Sequence, residues 1–186
     1  MDKEKYISNI KSSVQKGSHP GPPEDDLFQP TSVIALLVFN QEVVELVFIQ
    51  KADVEGYPWA NQMAFPGGHK DRKDRSTKDT ALRELDEEMG INRKNVEVIG
   101  SLGHFQTINN KDIEAWLGIW NQKETIHYDK TEIARVFQIP LKYLLDLHKK
   151  KAFHGPTPNV MLLTYPFEDV LIWGVTAKIL YHLIEV

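Results

Sequence analysis

Residues 65–91, FPGGHKDRKDRSTKDTALRELDEEMGI, constrain this chain more than any other stretch. An apolar residue runs into a Pro-Gly-Gly turn, and a charged loop leads on to a helix ending in Arg83-Glu84-Leu85-Asp86-Glu87-Glu88. Ser76 or Thr77 can cap that helix at its start, and Gly90 is the residue type that most easily takes the left-handed backbone a helix end requires. Thr80, Ala81, Leu85 and Met89 lie on one side, suited to a core. Glu84, Glu87 and Glu88 stand at i, i+3 and i+4, so their carboxylates share another face. Like charges so placed repel, and only Arg83 offers a base among them. A hard divalent cation held by oxygen ligands turns that repulsion into binding energy. Taken alone, the three glutamates also suit a solvated acidic face.

The flanking sequence predicts a mixed α+β domain with strands in the majority. Residues 32–39 and 43–50 are β-rich runs around Asn40-Gln41-Glu42, a hairpin pattern. Residues 62–65 lead into the Gly-Gly turn. Residues 96–99, 103–107, 113–120 and 132–139 alternate as strands. Residues 141–149 and 175–184 read as helices, with short extended pieces at 161–165 and 170–173. Upstream, residues 4–15 carry Tyr6, Ile7, Ile10 and Val14 at helical spacing, and residues 17–26, GSHPGPPEDD, read as an extended arm. The expected division is a helix and arm over 1–30 and one domain over 31–186, which a chain of 186 residues can supply with a core. An arm of this kind suits packing on a partner subunit, which leaves a homodimer open.

Charge narrows the partners. A net charge of −4 with dispersed Lys and Arg provides no basic stripe for nucleic acid, while a small nucleotide stays compatible because a bound metal can supply local positive charge. The absence of cysteine excludes disulfides, thiolate zinc sites and a cysteine nucleophile. Residues 33–39, the longest apolar run, are too short to span a bilayer, and the N-terminus has no signal-peptide core; the expectation is a cytoplasmic protein that does not engage a membrane. His104, His127 and His154 have no mutual spacing that suggests a metal site and read as structural or surface groups. Trp116 and Trp173 sit in apolar runs and read as core.

The segment Arg83-Glu84-Leu85-Asp86-Glu87-Glu88-Met89-Gly90-Ile91, with Gly67-Gly68 upstream, resembles the Nudix hydrolase motif at every defined position of its tail. The resemblance extends over residues 31–186. Ala64-Phe65-Pro66-Gly67-Gly68, the segment EIARVFQIPLKYLLD and residues 172–177 look like the coenzyme A pyrophosphatase-like branch. It implies an α/β/α sandwich with a mixed central sheet and the motif helix packed on it. Where the common motif has a glutamate eight residues before the arginine, this chain has Arg75, with Asp74 beside it. The resemblance therefore implies a longer loop in which Asp74 orients Arg83; a solvated loop acid is the other reading of Asp74.

The implied activity is hydrolysis of the diphosphate bond in a nucleoside diphosphate linked to another moiety, dependent on Mg²⁺ or Mn²⁺. Glu84, Glu87, Glu88 and the Gly68 carbonyl would hold the metal. Glu87, Glu88 and Arg83 would belong to the catalytic set, with Glu132 the candidate base outside the helix or simply a surface strand residue. Gly67 lets backbone approach phosphate without a Cβ in the way. Tyr57 and Trp59 suit stacking on a base or sugar, and equally suit covering a core edge. The branch carries Arg and His upstream of the Gly-Gly turn, where this chain reads KADVEGYPWANQ. That difference favours ADP-ribose or nucleoside diphosphate sugars, with coenzyme A as the alternative. A non-catalytic nucleotide sensor is the competitor of another class, disfavoured by the complete glutamate set; capped or triphosphate RNA ends are disfavoured by the acidic charge.

Overall fold

The apolar run SVIALLVF is buried on both faces of a sheet, and that decides the architecture. In the computed structural model, which describes residues 3–25, 27–56, 59–155 and 158–186, this run lies in strand β1 (Gln29–Asn40). Side chains alternate across a strand, so Ile34, Leu36 and Val38 enter one core while Ala35 and Leu37 enter another. A strand apolar on both faces requires cover on both.

Strand β1 pairs antiparallel with β2 (Val43–Lys51) and parallel with β6 (Lys111–Trp120). β6 pairs with the edge strand β5 (Val96–Gln106), and β2 with both β3 (Met63–Ala64) and β7 (Ile133–Pro140). The short β4 (Gly67–His69) joins β1 alongside, completing a mixed seven-stranded sheet. One face is covered by helix α2 (Thr77–Met89), whose Ala81, Leu82, Leu85 and Met89 pack on Ile34, Leu36, Val38, Val47 and Ile49. The other is covered by α1 (Lys3–Lys16), α3 (Leu141–Lys150), α4 (Gly174–Glu185) and the small hairpin β8 (Tyr165–Phe167) and β9 (Val170–Ile172). The result is the α+β sandwich expected from the sequence.

Helix α2 is fixed at both ends. Ser76 is its N-cap, its hydroxyl accepting from the Asp79 N–H at 3.1 Å. Gly90 closes it at φ 67°, donating to the Asp86 carbonyl. The arm after α1 packs on its own chain: the His104 N–H, on edge strand β5, donates to the Pro20 carbonyl at 2.9 Å. That contact covers part of an exposed strand edge.

Three expectations change. Residues 96–106 form one strand rather than two, because β-bulges near Gly100 and Gly103 interrupt the alternation without ending the pairing. Residues 161–164 are not strand: Met161 and Leu162 form an exposed turn, and the strand starts only at Tyr165. Trp173 is not core: it precedes α4 as the N-cap residue and is 48% exposed. Trp116 is largely covered against the α2-side core, although its indole Nε1 is buried without a partner. No helix among the described residues is long and apolar enough to cross a membrane.

The approach of β4 to β1 depends on Gly67, which pairs with Val33 at φ 148°. A Cβ there would meet the Ser32 carbonyl and lie 2.6 Å from the Val33 Cα, backbone atoms that cannot swing aside. Gly67→Ala is therefore expected to destabilise the fold by about 3 kcal/mol or more. Gly21→Ala, with nothing within 4 Å of the added methyl, should change stability by less than about 0.5 kcal/mol. Thermal unfolding of the two variants checks this; equal midpoints would show that β4 does not need the glycine.

Candidate active site

Residue Arg83 is the hub around which the charged face of α2 is built. Its Nε and Nη2 donate to the two carboxylate oxygens of Asp74, at 3.0 and 2.9 Å. Nη2 also donates to the His69 carbonyl at 3.0 Å, while Nη1 donates to Glu84 at 2.9 Å and Glu87 at 2.7 Å. A guanidinium has five N–H donors, and these contacts use all of them. Asp74 is equally engaged, accepting from the Asp71 N–H and the Thr80 hydroxyl, each at 2.9 Å. The structure thus brings Asp74 and Arg83 into a two-pronged pair, and Asp74 is not a solvated loop acid. The Arg83 fork, followed by the Asp71 and Thr80 contacts, holds the Asp74 carboxyl down at about 2. The same Asp74 contact pushes the Arg83 guanidinium above its ordinary range.

Beside this hub is a cleft of about 430 Å³. Its walls include Gly67, Gly68 and His69 of β4, Glu84 and Glu88 of α2, Lys51 and Ala52 at the end of β2, and Thr131 and Glu132 ahead of β7. Buried Glu88 has one oxygen on the Lys51 ammonium at 2.6 Å and the other on the Gly67 N–H at 2.9 Å. Burial raises the Glu84 carboxyl despite the Arg83 contact, and the neighbouring Glu88 and Glu87 charges add to the rise. Glu87 is 60% exposed and joins the group through Arg83. Gly68 is shaped by the same cluster: a Cβ there would lie 2.5 and 2.6 Å from the Glu84 carboxylate oxygens. Glu132 is exposed in the cleft wall, its carbonyl accepting from the Ala52 N–H at 2.9 Å.

An all-oxygen set gathered at one end of a helix fits a hard divalent cation. The fit rests on Glu84, partly buried among other carboxylates and raised by that burial, and on the seating of its carboxylate directly over Gly68, where a Cβ would strike it.

Sequence reasoning did not single out Lys51, Lys111 or His69. Lys111 Nζ lies 3.1 Å from His69 Nε2 and 5.0 Å from the Trp59 ring centre. Burial, then the Lys51 charge, lowers the proton affinity of Lys111; burial, then Lys111, does the same for His69. These groups form a basic rim next to the acidic floor. Only the position of Lys51 at the last residue of β2, one strand from the Gly-Gly turn, could have flagged it. Trp59 meets the site through Lys111, outside the residues lining the cleft, and Tyr57 lies outside the described residues. His104 bonds Asp112 at 2.7 Å on the adjacent β5–β6 pair.

The comparisons with known proteins bear on this geometry. The family model of the NUDIX domain matches residues 29–159. This chain belongs to the Nudix family. A relative in Pectobacterium atrosepticum, described as the uncharacterized Nudix hydrolase NudL, is 34% identical over 160 residues, covering 82% of this chain and 79% of the relative. Another of the same description, in Photorhabdus laumondii, is 29% identical over 175 residues, covering 89% and 90%. Among solved structures, a MutT/nudix family protein from Enterococcus faecalis superposes with a TM-score of 0.54 at 18% identity, covering 98% of this chain and 73% of that one; at that identity the likeness concerns the fold. The protein is thus a Nudix pyrophosphohydrolase, of a family whose enzymes hydrolyse nucleoside diphosphate derivatives with divalent metal ions. The glutamate-bearing helix, the Gly-Gly turn and the cleft all fall within the matched residues.

The Asp74–Arg83 pair gives the site a specific acid sensitivity. The folded-state pKa of Asp74 lies below its ordinary 3.8. The pair therefore stabilises the fold fully above that value, and the contribution is lost as pH falls toward 2. At neutral pH it amounts to about 2 kcal/mol. Asp74→Asn should lower the urea-unfolding free energy by about that much at pH 7 and by roughly half as much at pH 3. A pH-independent difference would mean that Asp74 acts by shape rather than charge.

Proposed function

We propose that this Nudix protein hydrolyses the diphosphate of ADP-ribose or a nucleoside diphosphate sugar, with Mg²⁺ or Mn²⁺ as its cation. The products would be a nucleoside monophosphate and the phosphorylated remainder. The observation that carries this reading is buried Glu88, held by Lys51 and the Gly67 N–H at the floor of a cleft that also receives Glu84 and Gly68. Glu84, Glu87 and Glu88 with the Gly68 carbonyl would hold the cation. When bound, the ion neutralises charge on the diphosphate oxygens as water attacks phosphorus.

The chain's own residues account for the remaining tasks. Arg83, saturated by its five contacts, holds the Glu84 and Glu87 carboxylates close together against their repulsion, and Asp74 holds Arg83. Glu132, exposed in the cleft wall, would take the proton from the attacking water. Lys51 would turn its ammonium toward a phosphate oxygen once Glu88 has another positive partner, with Lys111 and His69 of the rim placed to meet further negative charge. Gly67 presents backbone to the phosphates without a side chain. Trp59, next to Lys111, would border the sugar or base together with Tyr57.

The assay is a Mg²⁺-dependent hydrolysis panel of ADP-ribose, nucleotide sugars, coenzyme A, dinucleoside polyphosphates and nucleoside triphosphates. ADP-ribose or a nucleotide sugar should give the highest kcat/KM, EDTA should abolish turnover, and Mg²⁺ or Mn²⁺ should restore it. Preference for coenzyme A would replace the substrate reading, and no turnover on any substrate would favour a binding module. Glu88→Gln should lower kcat by about 10²-fold or more without loss of the fold; near-normal turnover would remove Glu88 from the reaction. Trp59→Ala should raise KM several-fold at little cost in kcat, and an unchanged KM would return Trp59 to a covering role.

A further inference from the structure

We propose that His148, His154 and Glu185 form a second metal site, distinct from the glutamate cleft and suited to Zn²⁺ or a similar borderline transition ion. His148 lies in the last turn of α3, His154 in the loop after it, and Glu185 at the end of α4. Among the described residues, theirs is the one trio of His, Cys, Asp or Glu side chains whose donor atoms all converge within 4.8 Å. His148 Nε2 is 3.0 Å from Glu185 Oε1, and His154 Nδ1 is 3.3 Å from the same oxygen. Ligands at about 2.0–2.1 Å in a tetrahedron lie about 3.3 Å apart. The two separations come within a few tenths of an ångström of that value.

The surroundings have the form that metal-binding imidazoles take. His148 is 1% exposed, and its far nitrogen, Nδ1, meets the hydroxyl of buried Tyr165 at 2.9 Å. Such an outer contact orients the ring and fixes which nitrogen is left to ligate. With Nδ1–H donating to Tyr165, the Nε2 lone pair points at Glu185. The second Glu185 oxygen accepts from the Gly155 N–H at 3.3 Å, which turns the carboxylate. Ala152 brings His154 round by taking left-handed backbone at φ 53°. His154 is 58% exposed and Glu185 29%, so water can reach a fourth position. Two imidazoles and one carboxylate suit Zn²⁺, Co²⁺ or Ni²⁺, whereas the all-oxygen cleft suits Mg²⁺ or Mn²⁺. A bound ion would clamp the end of α4 to the loop that follows α3. Without metal, the same groups can satisfy one another, with Tyr165 donating to Nδ1 and Nε2–H donating to Glu185; the experiment separates these states.

The full-length protein, held in excess Mg²⁺ to occupy the cleft, is titrated with Zn²⁺ by equilibrium dialysis and with Co²⁺ by visible absorption. The expected result is one Zn²⁺ per chain, Co²⁺ bands of a four-coordinate site, and a thermal midpoint raised by several degrees. His154→Ala, at an exposed position, should weaken Zn²⁺ binding at least 100-fold and erase the Co²⁺ bands, and Glu185→Gln should do likewise. Tyr165→Phe should weaken binding by about 10–100-fold. His154→Ala should leave Mg²⁺-dependent hydrolysis unchanged, and Glu88→Gln should keep the full Zn²⁺ stoichiometry. Zn²⁺ binding by His154→Ala at wild-type affinity, or no Zn²⁺ retained against Mg²⁺, would overturn the assignment and leave the trio a hydrogen-bond network.

Discussion

The site depends on one fully committed guanidinium. Arg83 places all five donors on Asp74, Glu84, Glu87 and the His69 carbonyl. It thereby fastens the loop after β4 to the middle of α2. A lysine carries three donors on a flexible stem and has no planar fork to match the Asp74 carboxylate. The loop can hold an aspartate rather than a glutamate because it delivers the acid close to the helix, where Thr80 and the Asp71 N–H meet it from two other directions.

The sheet determines where that hub can stand. β1 is apolar on both faces, so it lies in the interior with helices on each side. β4 hydrogen-bonds to the first half of β1, and β2 ends close by. Gly67 and Gly68 are both required, for unrelated reasons. Gly67 lets two backbones meet where a Cβ would strike Ser32 and Val33, while Gly68 leaves room for the Glu84 carboxylate. The Gly-Gly turn is thus a joint between sheet and helix.

Much of this was legible because it is local. The Ser76 cap, the Gly90 stop and the buried stripe of Thr80, Ala81, Leu85 and Met89 follow from spacing within one helix. The hairpin of β1 and β2 follows from two β-rich runs adjacent in the chain. What escaped depends on contacts remote in the chain. Lys51 becomes a partner of Glu88 only after the sheet has brought β2 over the helix. The basic rim needs Lys111 of β6 beside His69 of β4. His148, His154 and Glu185 share no sequence spacing because two helices and a loop bring them together. Trp173 read as core from its apolar neighbours, but the alternation of β9 and the start of α4 turn it outward. Gly100 and Gly103 broke the strand pattern on paper while the ladder continued through bulges.

Charge balance gives the cleft its direction. Asp74, Glu84, Glu87 and Glu88 supply four carboxylates, and among the described residues Arg83 and Lys51 are the two cations in direct contact with them, which leaves a deficit of two positive charges. Burial makes such a deficit expensive, since buried charges need partners. Part of the strain appears on Glu84, whose carboxyl is raised. One divalent ion at the proposed metal site would make up the deficit. Lys51 is then the cation with least left to do. Its ammonium sits on a flexible stem at the cleft wall, and a phosphate oxygen is the natural partner to replace Glu88. The ammonium that bonds Glu88 at 2.6 Å in the free protein would thus supply the substrate's first positive contact.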